Sequence, residues 1–289
     1  MRKTKFKSSN IEPYWDVIKR VIIESDLVLQ ILDSRLIDLS RNEKVEELIN
    51  EINRPFIYVL NKSDLINKKD IELKIEELKK IAPVVFVSNK DSKSNKILLY
   101  LIKKEFKKHG KRAPTLRSKD DPKINFREAK ADIVIGVIGY PNVGKSSVIN
   151  SLCHKKKVKV SKKSGTTHGI HWIKLDDQIK ILDSPGIIPL IKEDEIRYGL
   201  IGAKDSERLK SPDLVANAII KYALKKNPTS LKKFYNLTLT KDEIDNPDYE
   251  TIIDKIGKSK CFLLKGGICD ENRTVSMIVR DWQHGNLIL

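Results

Sequence analysis

Cysteine is scarce: three in 289 residues (Cys153, Cys261, Cys269), an odd number, with no CxxC and no histidine pattern beside them. That excludes a disulfide scaffold and any recognisable zinc site, and it fits a reducing compartment, with the cytoplasm as the expected location. No apolar run reaches the roughly 18 residues that a membrane-spanning helix needs. The basic start, MRKTKFKSSN, is followed by no apolar signal core. Aromatic residues make up 6% of the chain, and none forms a stacking motif of the RRM type, so base-specific RNA readout is not expected. Acids are also short. Asp and Glu number 39 against 56 Lys and Arg, a net charge of +17. A globular protein this basic is expected to meet a polyanion, with nucleic acid first and an anionic membrane surface second. Richness in Lys and Ile with two Met also suits a hot environment, which weakens that inference somewhat.

What is present is uneven in charge and in pattern. Residues 188–289 hold 17 basic and 15 acidic side chains, a net of +2, so residues 1–187 carry the remaining +15. A basic working domain over 1–187 and a mainly helical, near-neutral domain over 188–289 are expected. In the first half, short apolar runs alternate with helical spacing. Leu27–Asp33, Phe56–Leu60, Val84–Val87 and Ile133–Ile138 read as buried strands. Between them Val45, Leu48, Ile49 and Ile52, then Ile71, Ile75 and Leu78, then Ile97, Leu98, Leu101, Ile102 and Phe106 recur at helical spacing. This predicts an α/β fold with a mostly parallel sheet flanked by helices. Residues 107–130 are charged and aperiodic and read as a connector. Ile170–Leu175 and Ile179–Leu182 read as a strand pair around Asp176 and Asp177, 193–257 as mainly helices, and 271–281 as a further helix.

Gly139–Ser146, GYPNVGKS, fits GxxxxGK[ST] between an apolar strand and a helix. Its glycines let backbone N–H groups wrap phosphates. Lys145 would reach the β- and γ-phosphates, and the Ser146 hydroxyl would ligate Mg²⁺. Asp183–Gly186, DSPG, ends the run KILD. There a carboxylate can hold Mg²⁺ through water, and Gly186 can offer its N–H to a γ-phosphate. Asn61–Asp64, NKSD, ends FIYVL. An Asp carboxylate can accept from the N1–H and N2–H₂ edge of guanine, which adenine cannot supply. Lys62 can lie along the base and Asn61 can tie loops together. Ser88-Asn89-Lys90 can offer a backbone N–H to the guanine oxygen. Singly, DxPG, NKxD and SNK are ordinary turn or surface sequences.

Together the four motifs resemble the GTPase superfamily, but in an altered order: NKSD and SNK precede GYPNVGKS, and DSPG comes last. That order resembles the circularly permuted GTPases, and more narrowly the family whose bacterial members act in late assembly of the large ribosomal subunit. Asp33-Ser34-Arg35, Ser40-Arg41-Asn42, SGTTHGIHW (Ser164–Trp172) and the stretch from Lys265-Gly266-Gly267 to Arg280-Asp281-Trp282 are also similar to that family. The resemblance covers most of the chain. It implies GTP or GDP bound by Asn61, Lys62, Asp64, Ser88, Asn89, Lys90, Gly139, Asn142, Val143, Gly144, Lys145, Ser146, Ser147 and Gly186. It implies Mg²⁺ held by Ser146, Thr167 and Asp183, with Thr167 as the switch threonine. Asn142 matches a position that supports K⁺ in potassium-stimulated relatives.

The chain departs from the pattern in two places. Ile187 follows Gly186 where other GTPases place a water-orienting Gln, and an apolar side chain cannot polarise water. No histidine precedes His109, so the N-terminal catalytic histidine ascribed to some relatives has no counterpart. His168, next to Thr167, is the nearby substitute, so Lys145, Thr167 and His168 stand as the candidate catalytic residues. Basic clusters at Met1–Lys7, 103–112 and 150–163 favour contact with an RNA backbone. The expected function is a slow GTPase switch in large-subunit assembly, contacting ribosomal RNA. The alternatives are a GTPase acting on another RNA or a membrane surface, and a GTP-dependent binding module with little hydrolysis.

Overall fold

Runs that are apolar on both faces can be satisfied only inside a sheet covered on both sides. In a computed structural model of the chain, which describes residues 12–112, 133–153, 171–184 and 194–288, the four predicted runs occupy the middle and one edge of a single six-stranded sheet. The first unit begins with helix α1 (Glu12–Glu24) and strand β1 (Leu27–Asp33), then α2 (Ile37–Ser40), α3 (Glu43–Glu51), β2 (Phe56–Asn61), α4 (Glu72–Lys79), β3 (Val84–Phe86) and α5 (Ser92–His109). It continues with β4 (Ile133–Ile138), α6 (Lys145–Cys153), β5 (His171–Lys174) and β6 (Ile179–Asp183). The strand order is β3-β2-β1-β4-β6-β5. All neighbours are parallel except β5, which runs antiparallel to β6 as the arm of a hairpin.

Predicted and observed bounds coincide for β1 and β4 and differ by a residue at the ends of β2 and β3. Helix α1 was not among the predicted elements. Its Ile18, Val21 and Ile22 are fully buried, and they do follow a helical period that the preceding charged tail obscures. Asp26 fastens the join between the two halves of the sheet. One carboxylate oxygen accepts from Arg112 N (3.0 Å) and the other from Val134 N (2.7 Å), so the end of the α5 segment and the start of β4 hang on one side chain.

Every parallel strand points its C-terminal end the same way. Asp33 lies opposite Asn61 in the β1–β2 register, and Val137 lies opposite Asp183 in β4–β6. The chemistry-bearing motifs all follow strand ends, so the topology gathers them along one edge of the sheet.

The second compact unit, described from residue 194 onward, is helical: α7 (Glu195–Leu200), α8 (Pro212–Lys226), α9 (Pro228–Tyr235), α10 (Lys241–Asp245), α11 (Tyr249–Ser259) and α12 (Glu271–His284). Its core contains Val215, Ile219, Ile252, Ile256, Ile278 and Trp282. The Trp282 indole N–H donates to Leu200 O at 2.7 Å, which satisfies the one polar atom of that buried ring. The expected boundary at 187/188 lies outside the described residues. Among the described residues no helix is long and apolar enough to cross a membrane.

Candidate functional site

The phosphate loop runs from the end of β4 into the N-terminus of α6. Gly139 and Gly144 are required there for steric reasons. A Cβ on Gly139 would lie 2.7 Å from Ile31 O, and one on Gly144 would lie 2.0 Å from Asn61 Nδ2, with Gly144 at φ +99°. Asn142 also takes the left-handed region, at φ 58°, which Asn tolerates better than most residues. Lys145, Ser146 and Ser147 form the first turn of α6, where unpaired N–H groups and the helix dipole favour an anion. The Lys145 ammonium is buried and folds back on its own loop, donating to Gly139 O and Tyr140 O, each at 2.9 Å. Burial brings its pKa down to about 8, with the Asp183 charge opposing.

Asp183 ends β6 at 1% exposure, and neither carboxylate oxygen has a hydrogen-bond partner among the described residues. Burial pushes its pKa up to about 6, against the pull of the Lys145 and His171 charges. A buried carboxylate with two unused oxygens is costly unless it is completed by something else. Its neighbour Ser184 is anchored, donating to Val137 O at 2.6 Å.

The second loop system lies on the other half of the sheet and is bonded to the first. Asn61 Nδ2 donates to Val143 O at 2.8 Å, across 82 positions of sequence. Asp64 accepts from Ser88 Oγ at 2.9 Å through one oxygen and pairs with Lys90 Nζ at 2.9 Å through the other. Burial would raise the Asp64 pKa, but these bonds from Lys90 and Ser88 hold it below its ordinary value. Asn89 Oδ1 accepts from Ser151 Oγ of α6 at 3.4 Å. The structure therefore brings Asn61, Lys62, Asp64, Ser88, Asn89, Lys90, Gly139, Asn142, Val143, Gly144, Lys145, Ser146, Ser147 and Asp183 to one edge of the first unit. Thr167, His168, Gly186 and Ile187, and the lysines of 155–163, lie outside the described residues.

Asp33, Ser34, Arg35, Asn42 and Tyr140 were not assigned site roles from sequence, although the first three and Asn42 fall in segments similar to the family. Lys62, itself left-handed at φ 60°, donates to Asp33 Oδ2 at 2.7 Å. Arg35 donates to both oxygens of the same carboxylate (3.0 and 2.8 Å). Burial would raise the Asp33 pKa, but the Arg35 and Lys62 charges outweigh it and hold the carboxyl well below the usual range. Ser34 offers both its N–H (3.0 Å) and its hydroxyl (2.6 Å) to Asn61 O. Asn42 Nδ2 donates to Tyr140 OH on the phosphate loop at 3.3 Å. Apart from the local Arg35–Asp33 pair, these contacts join residues on separate strands and loops, so spacing alone could not assign them.

A P-loop at a strand–helix junction, bonded to an NKxD loop that comes earlier in the chain, defines a circularly permuted P-loop GTPase domain. A family described as 50S ribosome-binding GTPase matches residues 134–247, beginning within β4. Ribosome biogenesis GTPase A of Bacillus cereus is 30% identical over 270 residues, covering 91% of this chain and 84% of that protein. The chain belongs to the family of circularly permuted GTPases that includes ribosome biogenesis GTPase A. An uncharacterized GTP-binding protein of Methanocaldococcus jannaschii is 33% identical over 277 residues, or 95% of this chain, which spans 66% of that protein's own length. The crystal structure of GNP-bound YlqF from T. maritima shares the fold, with TM-score 0.58 at 20% identity, covering 93% of this chain and 92% of that one.

Proposed function

We propose that this protein binds GTP and GDP and hydrolyses GTP slowly, as a cytoplasmic switch in assembly of the large ribosomal subunit, where it contacts ribosomal RNA. The observation that carries the nucleotide reading is the Asn61–Val143 hydrogen bond. It fixes the base-reading loop directly against the phosphate loop, so one nucleotide can span both. In this reading Asp64, held by Ser88 and Lys90, accepts from the guanine edge. Lys62, held by Asp33, lies along the base. The amides of Gly139–Ser147 receive the phosphates, and Lys145 exchanges its two carbonyl partners for phosphate oxygens. The relatives' names supply the ribosomal part of the reading.

The donor set suits Mg²⁺: Ser146 supplies a hydroxyl at the start of α6, and Asp183 has two partnerless buried oxygens, all hard oxygen ligands. Bound there with Thr167, the ion would neutralise charge building on the phosphates. In the same reading Asn142 would hold K⁺. In the proposed division of labour, a GTP-binding domain over 1–187 passes its nucleotide state to the helical domain over 188–289 through the segment after Gly186.

The test is a base swap. Asp64→Asn should cut GTP affinity at least about tenfold, since a charge-assisted bidentate contact is lost. The same variant should gain affinity for xanthosine triphosphate, whose ring edge suits an amide. Titration with both nucleotides and with ATP reads this out. Undiminished GTP affinity in the variant would remove NKSD from the base-reading role. Turnover with isolated ribosomal subunits then separates a hydrolysing switch from a module that only binds. The Ile187 position, without a water-orienting Gln, is what gives the second reading its weight.

A further inference from the structure

We propose that the outward face of α5 is an RNA-docking face, built from a row of lysines around one exposed tyrosine. The inference rests on the RNA-contacting function proposed above and names the surface that makes the contact.

Helix α5 has 18 residues, about 27 Å of length, and one apolar stripe: Leu98 and Ile102 are fully buried against the sheet. The opposite face carries Lys93, Lys96, Lys103, Lys104, Lys107 and Lys108, all exposed. The helix contains one acid, Glu105, and it is turned inward, 3.6 Å from His109. Among the described residues none of the six lysines has an acidic partner.

Three other helical lysines of this protein are instead paired within their own helices. Lys74 pairs with Glu77, Lys79 with Glu76, and Lys258 with Asp254, each three or four residues away. Such alternation is what an exposed helix uses for its own stability, and like charges at that spacing destabilise it by a few tenths of a kcal/mol. On α5, Lys103 faces Lys107 and Lys104 faces Lys108. Lys93 also sits in the first turn of the helix, where the dipole disfavours cations. The dipole favours Lys107 and Lys108 in the last turn, but the like-charge spacing along the row still works against the helix, and an external polyanion would offset it.

The centre of the row identifies which polyanion. Tyr100 is 67% exposed and Ile97 58%. Lys96, Lys103 and Lys104 lie three or four residues from Tyr100, so they ring it on the helix surface. A solvated aromatic face bordered by cations is the arrangement on which an unpaired base stacks while its backbone is neutralised. An anionic membrane would meet the same charges. Its insertion requires a broad apolar helix face, however, and the main apolar stripe of α5 is already buried in the core. The charge pattern extends the basic segment 103–112 back to Lys93, and Tyr100 adds a stacking contact to it.

The experiment uses the full chain and an in vitro transcript of large-subunit ribosomal RNA, with binding measured across a salt series. Vesicles of anionic phospholipid serve as the second probe and GTP titration as the check on folding. The triple variant Lys96→Gln, Lys103→Gln, Lys107→Gln should lower the slope of log affinity against log salt by about 2 to 3. Tyr100→Ala should weaken RNA binding about 5- to 100-fold and Tyr100→Phe should not, while all keep wild-type GTP affinity. Variants that bind the transcript with wild-type affinity and slope would overturn the assignment to α5 and leave RNA binding itself standing. A wild-type chain that does not bind the transcript would overturn both this inference and the RNA part of the proposed function. Loss of vesicle binding with RNA binding intact would overturn it in favour of a membrane face.

Discussion

Asp183 shows how a carboxylate is held inside a fold at a cost. Its carboxylate is almost wholly buried, both oxygens lack partners among the described residues, and its pKa lies at about 6. An unfolded Asp titrates near 4, so between roughly pH 4 and 6 the folded chain holds the proton more tightly. The stability this gives is fully present below the unfolded value and is lost as pH rises through 6. At neutral pH the folded protein carries a buried charge that the Lys145 and His171 charges offset only in part. Asp183→Asn should therefore raise the melting temperature of the nucleotide-free, Mg²⁺-free protein at pH 7.5 by a few degrees, on the order of 2 kcal/mol, and the gain should vanish near pH 4. The same variant should weaken Mg²⁺-dependent GTP binding. Calorimetric melts of both proteins across that pH range decide it. A variant less stable than wild type at pH 7.5 would mean that Asp183 is paired in the folded protein after all. The neighbouring Lys145 sets the size of the effect, because the Asn variant removes its countercharge.

At the scale of elements, the loop after β2 is held from below by the loop after β1. Asp33 bonds Lys62, Ser34 bonds the Asn61 carbonyl twice, and Arg35 closes the carboxylate from the other side. Three charges within one buried cluster sum to +1, so removing the central negative one leaves two cations unscreened. Asp33→Asn should cost about 3–5 kcal/mol of folding stability, the range for breaking a buried pair from one side. It should also lower GTP affinity, because Lys62 loses its anchor. Urea denaturation beside GTP titration measures both; a stability loss under about 1 kcal/mol would show the cluster to be solvated. Much of this architecture was readable in the sequence. β1 and β4 are buried on both faces, so their runs are apolar on both faces, with Gln30 the one polar residue inside them, and their bounds coincided with the structure to the residue. The motif order alone exposed the permutation, since the chemistry of each motif is local. What was not legible depends on register. Asp33, Ser34 and Arg35 stood out only as a family-like segment, because the partners of Ser34 and Asp33 on the second loop lie 27 and 29 positions away, across the β1–β2 pair. Helix α1 was missed because its apolar residues follow a charged tail. The antiparallel direction of β5 follows from the short turn at Asp176 and Asp177, since a parallel neighbour would need a crossover of a dozen or more residues.

At the scale of the whole molecule, the permutation places the DSPG segment at the end of the GTP-binding domain rather than in its middle. If Gly186 senses the γ-phosphate as proposed, the same segment also begins the connection to the helical unit. A switch wired this way gains little from fast idle turnover, and Ile187 fits that economy: with no amide to orient water, intrinsic hydrolysis should be slow. Stimulation should come from groups completed on the target. In the proposed reading Asn142, left-handed on the phosphate loop, helps hold K⁺, and a fixed monovalent charge beside the phosphates would stabilise the developing negative charge. Na⁺ is too small for a site shaped for K⁺, so replacing K⁺ by Na⁺ should slow turnover. Asn142→Ala should erase that difference while leaving nucleotide affinity nearly intact. His168→Ala should reduce the ribosome-stimulated rate and leave the basal rate unchanged if the histidine orders only on docking. Single-turnover GTP hydrolysis in each salt, with and without large ribosomal subunits, separates these contributions. Equal rates in K⁺ and Na⁺ would dismiss the monovalent ion, and full stimulation in the His168 variant would put the water-orienting group elsewhere, on the ribosome itself.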